Sequence, residues 1–435
     1  MKGSMTRPPR SSPGSRYQVS VLDNGVRIAS VRMPERQGVS LGFWAGVGGR
    51  HERVEQNGMA HFLEHLLFKG TRRRSALELS EEVEGVGGSL DAFTSEDHTC
   101  YYAKALSRHL PMLCDVLADM YVCSRLPAEE ITREREVIRE EIAMYRDQHS
   151  QHVEEMLAEA LWPRHPLGRP LTGTVESVGR MGRAALKDFL LQHYSARNTI
   201  VSAAGDVDHE ELVRLLRPSL GRLSEGRKSG FQRVRRVGGG GPRFNVLAED
   251  AEQTQLALGF HAFGRRDPRR HALKLMSVLL GENMSSRLFQ RLREQHGLCY
   301  SVSSSTLTLA ETGAVHISAG LERGKLRKAV AMILGELRRI QDRAPSVAEL
   351  RKACDYTVGQ TVLGLEGTGS QMTWIGESLI GFGRVVDPAE TERGVLAVTP
   401  AQVQAVARDC LQMERLAVAV IGPGLTRAEV EGWLR

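Results

Sequence analysis

Met59-Ala60-His61-Phe62-Leu63-Glu64-His65-Leu66-Leu67-Phe68 is an apolar run without proline or interior glycine, and it reads as a helix. At about 3.6 residues per turn, His61 and His65 lie one above the other with Glu64 beside them, so two imidazoles and a carboxylate converge on one face. The other faces carry Phe62, Leu63, Leu66, Leu67 and Phe68, which places the helix in a domain core rather than on a surface. A single histidine on an apolar face is most simply a satisfied core residue. Two at this spacing with an acid between them form a metal site. His-x-x-Glu-His inverts the zincin signature, with two zinc ligands one turn apart and a glutamate as base. Such a site needs a third protein ligand.

Upstream, Asn24-Gly25 between the β-rich residues 18–22 and 26–31 predicts an antiparallel hairpin, and 39–47 predicts a further strand that Gly48-Gly49 turns toward the helix. Downstream, 76–86 reads as helix ended by Gly87-Gly88, and 89–95 pairs with 99–105 across the turn Glu96-Asp97-His98. Two long helices follow at about 107–124 and 128–148, the second entered through Pro127. On that second helix Glu134, Val137, Ile138 and Glu141 share a face through spacings of three, four and seven. An acidic run on a helix is usually a solvated face, which suits Glu129, Glu130, Glu136 and Glu140. Glu134 and Glu141 are the candidates for a buried pair that supplies the missing ligand.

With 435 residues, 41% hydrophobic and 25% charged, the chain has more material than one core uses, so two or more domains are expected. The net charge of +6 comes from 58 basic and 52 acidic residues that are interspersed, with no recognised nucleic-acid motif, so no nucleic-acid partner is expected. Six scattered cysteines without a C-x-x-C pair read as reduced thiols. No apolar run reaches 18 residues, so membrane insertion is not expected, and the N-terminus lacks the apolar core of a secretory signal. Residues 1–16 are rich in Arg and Ser without acids, as in a transit peptide, but Pro8, Pro9 and Pro13 break an amphipathic helix. They read as a disordered tail. The expected compartment is the cytoplasm, with the mitochondrial matrix as the alternative for a eukaryotic chain.

The composition shifts at 226–242, where basic residues lead into Gly238-Gly239-Gly240-Gly241-Pro242, the pattern of a flexible joint. This predicts a tail at 1–16, a first α+β unit at 17–226, a linker at 227–242 and a second unit at 243–435. The second unit repeats the first. Strands at 246–260, a helix at 269–280, a strand at 313–321 and helices at 325–340 and 347–363 keep the same order, and Pro127 and Pro345 each precede a strand, at Thr199 and Ala417, by 72 residues.

His61 to His65 followed by Leu66-Leu67-Phe68-Lys69-Gly70-Thr71, with Glu141 76 residues beyond His65, resembles the pitrilysin or insulinase family of zinc metallopeptidases. The likeness is nearest to its mitochondrial-processing-peptidase-like bacterial branch. It runs from about residue 18 to the C-terminus and includes His165-Pro166-Leu167-Gly168-Arg169-Pro170, Tyr194-Ser195-Ala196-Arg197-Asn198 and Ala204-Gly205-Asp206-Val207.

The resemblance implies one Zn2+ per chain held by His61, His65 and Glu141, with Glu64 as the base that activates water and Glu134 supporting catalysis. Three protein ligands leave a position for water, as in catalytic zinc sites. It also implies an α+β fold of two homologous units, each an antiparallel-rich sheet with helices packed on one side, facing each other around a cavity. Lys352 and Gly359 answer to Glu134 and Glu141, so the second unit holds no metal. That unit is expected to contribute Arg293 and Tyr300 to the substrate. On the residues alone these two read as a basic amphipathic helix ended by Gly297 and the start of a strand.

A peptide would bind as an added strand along Ser89, Leu90, Ala92 and Phe93. There the family's Asn-Ala is replaced by Asp91-Ala92. The implied function is an endopeptidase for unfolded or presequence-like peptides, assembled as a homodimer or a heterodimer with a related chain. The alternative, a non-catalytic scaffold or partner subunit, sits poorly with the intact His61, Glu64, His65 and Glu141.

Overall fold

Residues 16–234 and 241–433 are described by the structure, a computed structural model, and they divide between two units. The expected tail, apart from Arg16, and residues 235–240 of the expected linker lie outside the described residues.

In the first unit, β1 (Tyr17–Val21), β2 (Arg27–Arg32), β3 (Gly38–Ala45), β4 (Ser89–Thr94), β5 (Thr99–Leu106) and β6 (Thr199–Gly205) form one sheet in the order β1-β2-β6-β3-β5-β4. The hairpin signal at Asn24-Gly25 is realised as the antiparallel pair β1/β2. Only β2/β6 is parallel. β4 is an edge strand, paired to β5 from Ser89↔Lys104 to Thr94↔Thr99, so its other side is free to accept a strand. The helix Met59–Leu67 lies on one face of this sheet, with Phe62, Leu63, Leu66 and Leu67 each fully buried in the main core.

The opposite face of the sheet is also apolar, through Ala29, Val31, Trp44, Ile200 and Ala204. The helix Thr368–Phe382 covers it, seating Met372, Ile375 and Leu379. Burying each of these side chains contributes about 1.5–3 kcal/mol. Contact is close enough to require glycine: a Cβ on Gly376 would sit 2.1 Å from the Trp44 ring.

In the second unit, β7 (Arg243–Ala248), β8 (Thr254–Phe263), β9 (Cys299–Thr308), β10 (Thr312–Leu321) and β11 (Ala417–Gly422) run in the order β7-β11-β8-β10-β9. Position for position this is β2-β6-β3-β5-β4, including a single parallel pair at the start, β7/β11. The internal repeat is therefore carried by topology. Helices Arg270–Gly281, Leu326–Asp342 and Pro400–Cys410 build the core on one face. The helix His149–Leu161 covers the other, where Ala257, Ala314, Ala417 and Ala419 leave room for Leu157 and Leu161.

The units are not the contiguous halves 17–226 and 243–435. The first comprises the chain up to Ile142, Pro170–Phe231 and Leu363–Val386; the second comprises Ala143–Arg169, Gln232–Val362 and the chain from Asp387 onward. The physical reason is two-sided burial. Each sheet has a second apolar face, and the helix that covers it comes from the other half of the sequence. Neither helix was expected. The segment before Gly297 also differs from the expected amphipathic α-helix: Phe289–Gln295 is a π-helix. Among the described residues no helix is long and apolar enough to cross a membrane, and all six cysteines are free.

Candidate metal centre

Gly58 starts the His61–His65 helix in a left-handed conformation (φ 91°), and a Cβ there would meet the Thr172 carbonyl oxygen at 2.5 Å. The first-turn amides are capped by a carboxylate. Glu52, only 2% exposed, accepts from Gly58 N at 2.8 Å and from Ala60 N at 2.7 Å, placing its charge at the positive end of the helix dipole. The helix Ala128–Asp147 presents Glu134 and Glu141 on the face that also carries the buried Ile131, Ile138 and Ile142. Val137, expected on that face, is exposed: the buried stripe follows Ile131, Glu134, Ile138 and Ile142, with Glu141 half-buried at its side.

These two helices bring His61, His65 and Glu141 together, with one ligand atom from each lying within 4.8 Å of the others. His61 Nε2 is 3.5 Å from Glu141 Oε1, and His65 Nε2 is 3.5 Å from Glu141 Oε2. Tetrahedral zinc with bonds of about 2.0–2.2 Å holds neighbouring donors about 3.4 Å apart, so the spacing and the N,N,O donor set both fit zinc. Among the described residues this is the one cluster of its kind, and Lys352 and Gly359 add none to the second unit.

The charges around the cluster are coupled. Burial works to raise the Glu141 carboxyl, but hydrogen bonds and charge from His61 and His65 overcome it and hold the group well below the usual range. Burial works to lower His65, and its hydrogen bonds to Glu134 and Glu141 overcome that, raising it to about 9 without metal. Glu134 is 5% exposed and spends both oxygens: Oε2 lies 3.0 Å from His65 Nδ1, and Oε1 lies 2.8 Å from Lys69 Nζ. It therefore acts on His65, holding Nδ1 so that Nε2 faces Glu141.

Glu64 stands beside the cluster, and its Oε2 accepts a hydrogen bond from the Thr94 hydroxyl at the end of β4. Alternation along β4 puts Leu90, Ala92 and Thr94 toward the metal helix and Ser89, Asp91 and Phe93 toward the other face. Leu90 and Ala92 pack on the main core, whereas the Phe93 ring meets Trp44 edge-on at 5.7 Å on the far face. Asp91 accepts from the Ala92 amide at 2.8 Å and from the Tyr102 hydroxyl at 3.1 Å, so this acid already holds one N–H of the edge strand. In the second unit the Arg293 guanidinium carbon lies 5.4 Å from the Tyr300 ring centre, and Tyr300 is 75% exposed.

Three residues that bear on the site went unread in the sequence: Thr94, Lys69 and Glu52. Lys69 carried a signal, since it follows His65 by four, the spacing of one helical turn, although it falls just past the end of the helix at Leu67. Thr94 and Glu52 carried none, because their partners are fixed by the crossing of β4 and by the loop before Gly58.

Comparison with known proteins places these features among relatives. A family model described as insulinase (peptidase family M16) matches residues 27–175, and one described as the peptidase M16 inactive domain matches residues 180–356. A Mycobacterium tuberculosis protein named an uncharacterized zinc protease is 38% identical over 422 residues, covering 96% of this chain and 95% of its own. A Bacillus subtilis protein, also named an uncharacterized zinc protease, is 34% identical over 407 residues, covering 92% and 97%. Among solved structures, a protease from Helicobacter pylori superposes with a TM-score of 0.87 at 22% identity, covering 94% of this chain and 99% of that one. A structure described as a peptidase M16 inactive domain, from Pseudomonas fluorescens, has the same TM-score at 18% identity, covering 95% and 99%. These two speak to the fold.

Proposed function

The chain belongs to the insulinase family of peptidases, M16, and from that premise we propose that it is a zinc endopeptidase acting on unfolded or presequence-like peptides. The observation that carries the reading is the meeting of His61 Nε2 and His65 Nε2 at 3.5 Å from the two oxygens of Glu141, with Glu64 alongside.

His61, His65 and Glu141 would hold one zinc ion, whose Lewis acidity lowers the pKa of water toward about 7 and polarises a peptide carbonyl. Glu64 takes the proton of the attacking water and returns it to the leaving amine. Thr94 fixes one Glu64 oxygen, leaving the other for the proton. Glu134 holds His65 in the tautomer that keeps Nε2 for the metal. The free edge of β4 pairs with the peptide backbone, which every peptide shares. Asp91 must release the Ala92 amide for that pairing, and its charge then favours a basic substrate residue beside it. Arg293 and Tyr300 supply a guanidinium and a phenol to the peptide and the oxyanion.

The test is digestion of a set of unstructured peptides, read by mass spectrometry, before and after chelation and with zinc restored. The expected result is cleavage that chelation abolishes and zinc restores. A zinc-loaded chain that cleaves none of them would favour the scaffold reading.

A further inference from the structure

The second unit contains a cavity of about 500 Å3 lined by four arginines. Arg287 and Arg291 come from the segment that enters and forms the π-helix Phe289–Gln295, Arg339 from the end of the helix Leu326–Asp342, and Arg343 from the residue that follows it. Two carboxylates stand among them. Glu336, 1% exposed, accepts from Arg291 and lies 3.1 Å from Arg339 Nη1. Glu349 takes the Arg287 guanidinium in a fork, at 2.7 and 2.8 Å. Arg343 makes no ion pair among the described residues. Four guanidiniums against two carboxylates leave two positive charges in excess.

Uncompensated guanidiniums in a concave space repel one another, a cost that a bound anion would offset. The two acids tether Arg287, Arg291 and Arg339, so these three stand at the cavity without the full rotamer cost that free surface arginines incur on binding, and leave Arg343 as the one lining arginine without an ion pair among the described residues. The helix Val347–Gly364 also begins at this rim, with Ser346 just before its first turn and Glu349 within it, and its N-terminal dipole adds to the positive field. The volume falls within the usual range of small-molecule sites.

We infer that this cavity binds a small phosphoryl dianion. Planar guanidinium forks match the oxygens of a phosphoryl group, and its two negative charges match the excess. The site lies entirely within the second unit and does not rest on the peptidase reading.

The experiment is calorimetric titration of the zinc-loaded full chain with inorganic phosphate at pH 8 and low salt. One saturable site with Kd at or below about 1 mM is expected, weakening as salt screens the arginines. Arg343→Ala breaks no ion pair, so its melting temperature in phosphate-free buffer should match the parent while its affinity falls about tenfold. Arg339→Ala should act in the same direction. A parallel titration with O-phosphoserine identifies the source: tighter binding than inorganic phosphate points to a phosphate ester, and weaker binding points to the free anion. The inference is overturned by no saturable binding up to about 10 mM. It is equally overturned if Arg343→Ala binds as tightly as the parent, which would place the phosphate elsewhere, at the zinc for instance.

Discussion

His65 Nδ1 lies 3.0 Å from Glu134 Oε2, while the second oxygen of Glu134 lies 2.8 Å from Lys69 Nζ. Two helices are thereby joined through a carboxylate that is not itself in the metal cluster. Replacing it by an amide of the same shape, Glu134→Gln, removes the charge that holds the imidazole and leaves Lys69 unpaired. Zinc affinity, read by competition with a chromophoric chelator, is expected to drop about 10–100-fold. Unchanged affinity would reduce Glu134 to an ion-pair partner of Lys69.

Thr94 donates to Glu64 from the end of the edge strand. Thr94→Val keeps the shape and deletes the donor, so kcat should fall by about tenfold or more with KM and zinc content near parental values. Thr94→Ser should recover most of the loss. A rise in KM with kcat unchanged would instead make Thr94 part of the peptide-binding strand only.

Gly376 faces the Trp44 ring with no space for a methyl group. Gly376→Ala should force the helix Thr368–Phe382 outward and cost about 1–3 kcal/mol, read as a lower urea midpoint. An unshifted midpoint would mean that this segment does not pack on the first sheet as described.

Burial pushes the imidazoles of His51, His193, His261 and His271 down to about 4. Well above pH 6.5 these side chains are neutral whether the chain is folded or unfolded, so they leave stability unaffected by pH. Between pH 6.5 and about 4 the unfolded chain binds protons that the folded chain refuses, and stability falls as pH falls. Urea midpoints measured across that window should decline with decreasing pH. A flat profile from pH 6.5 to 4.5 would show that these histidines are protonated in the native state.

What could be read from the sequence was what repeats locally. His61, Glu64 and His65 sit one helical turn apart, Glu134 and Glu141 sit two turns apart, and the pairs β1/β2 and β4/β5 announce themselves by turn residues between β-rich runs. Contacts between distant segments had no such rule. Trp44 meeting Gly376, and Ala257 and Ala419 packing on the helix His149–Leu161, follow from the second faces of the two sheets. Alternation within one strand says that such a face exists, not which part of the chain covers it. Val137 shows the same limit from the other side: its spacing groups it with Glu134 and Glu141, yet it is 48% exposed while its neighbour Ile138 is fully buried, because burial is set by what packs over the helix and not by spacing along it.

Zinc content and peptide cleavage measured together on the parent, Glu64→Gln and His65→Ala decide whether His61, Glu64, His65 and Glu141 form a catalytic zinc centre. The parent is expected to carry about one zinc per chain and to cleave. His65→Ala should lose the metal and the activity together. Glu64→Gln should keep its zinc while turnover falls by about a hundredfold or more, because the carboxylate moves the proton and does not hold the metal. Glu64→Gln cleaving at the parental rate, or His65→Ala retaining a full complement of zinc, would contradict the account.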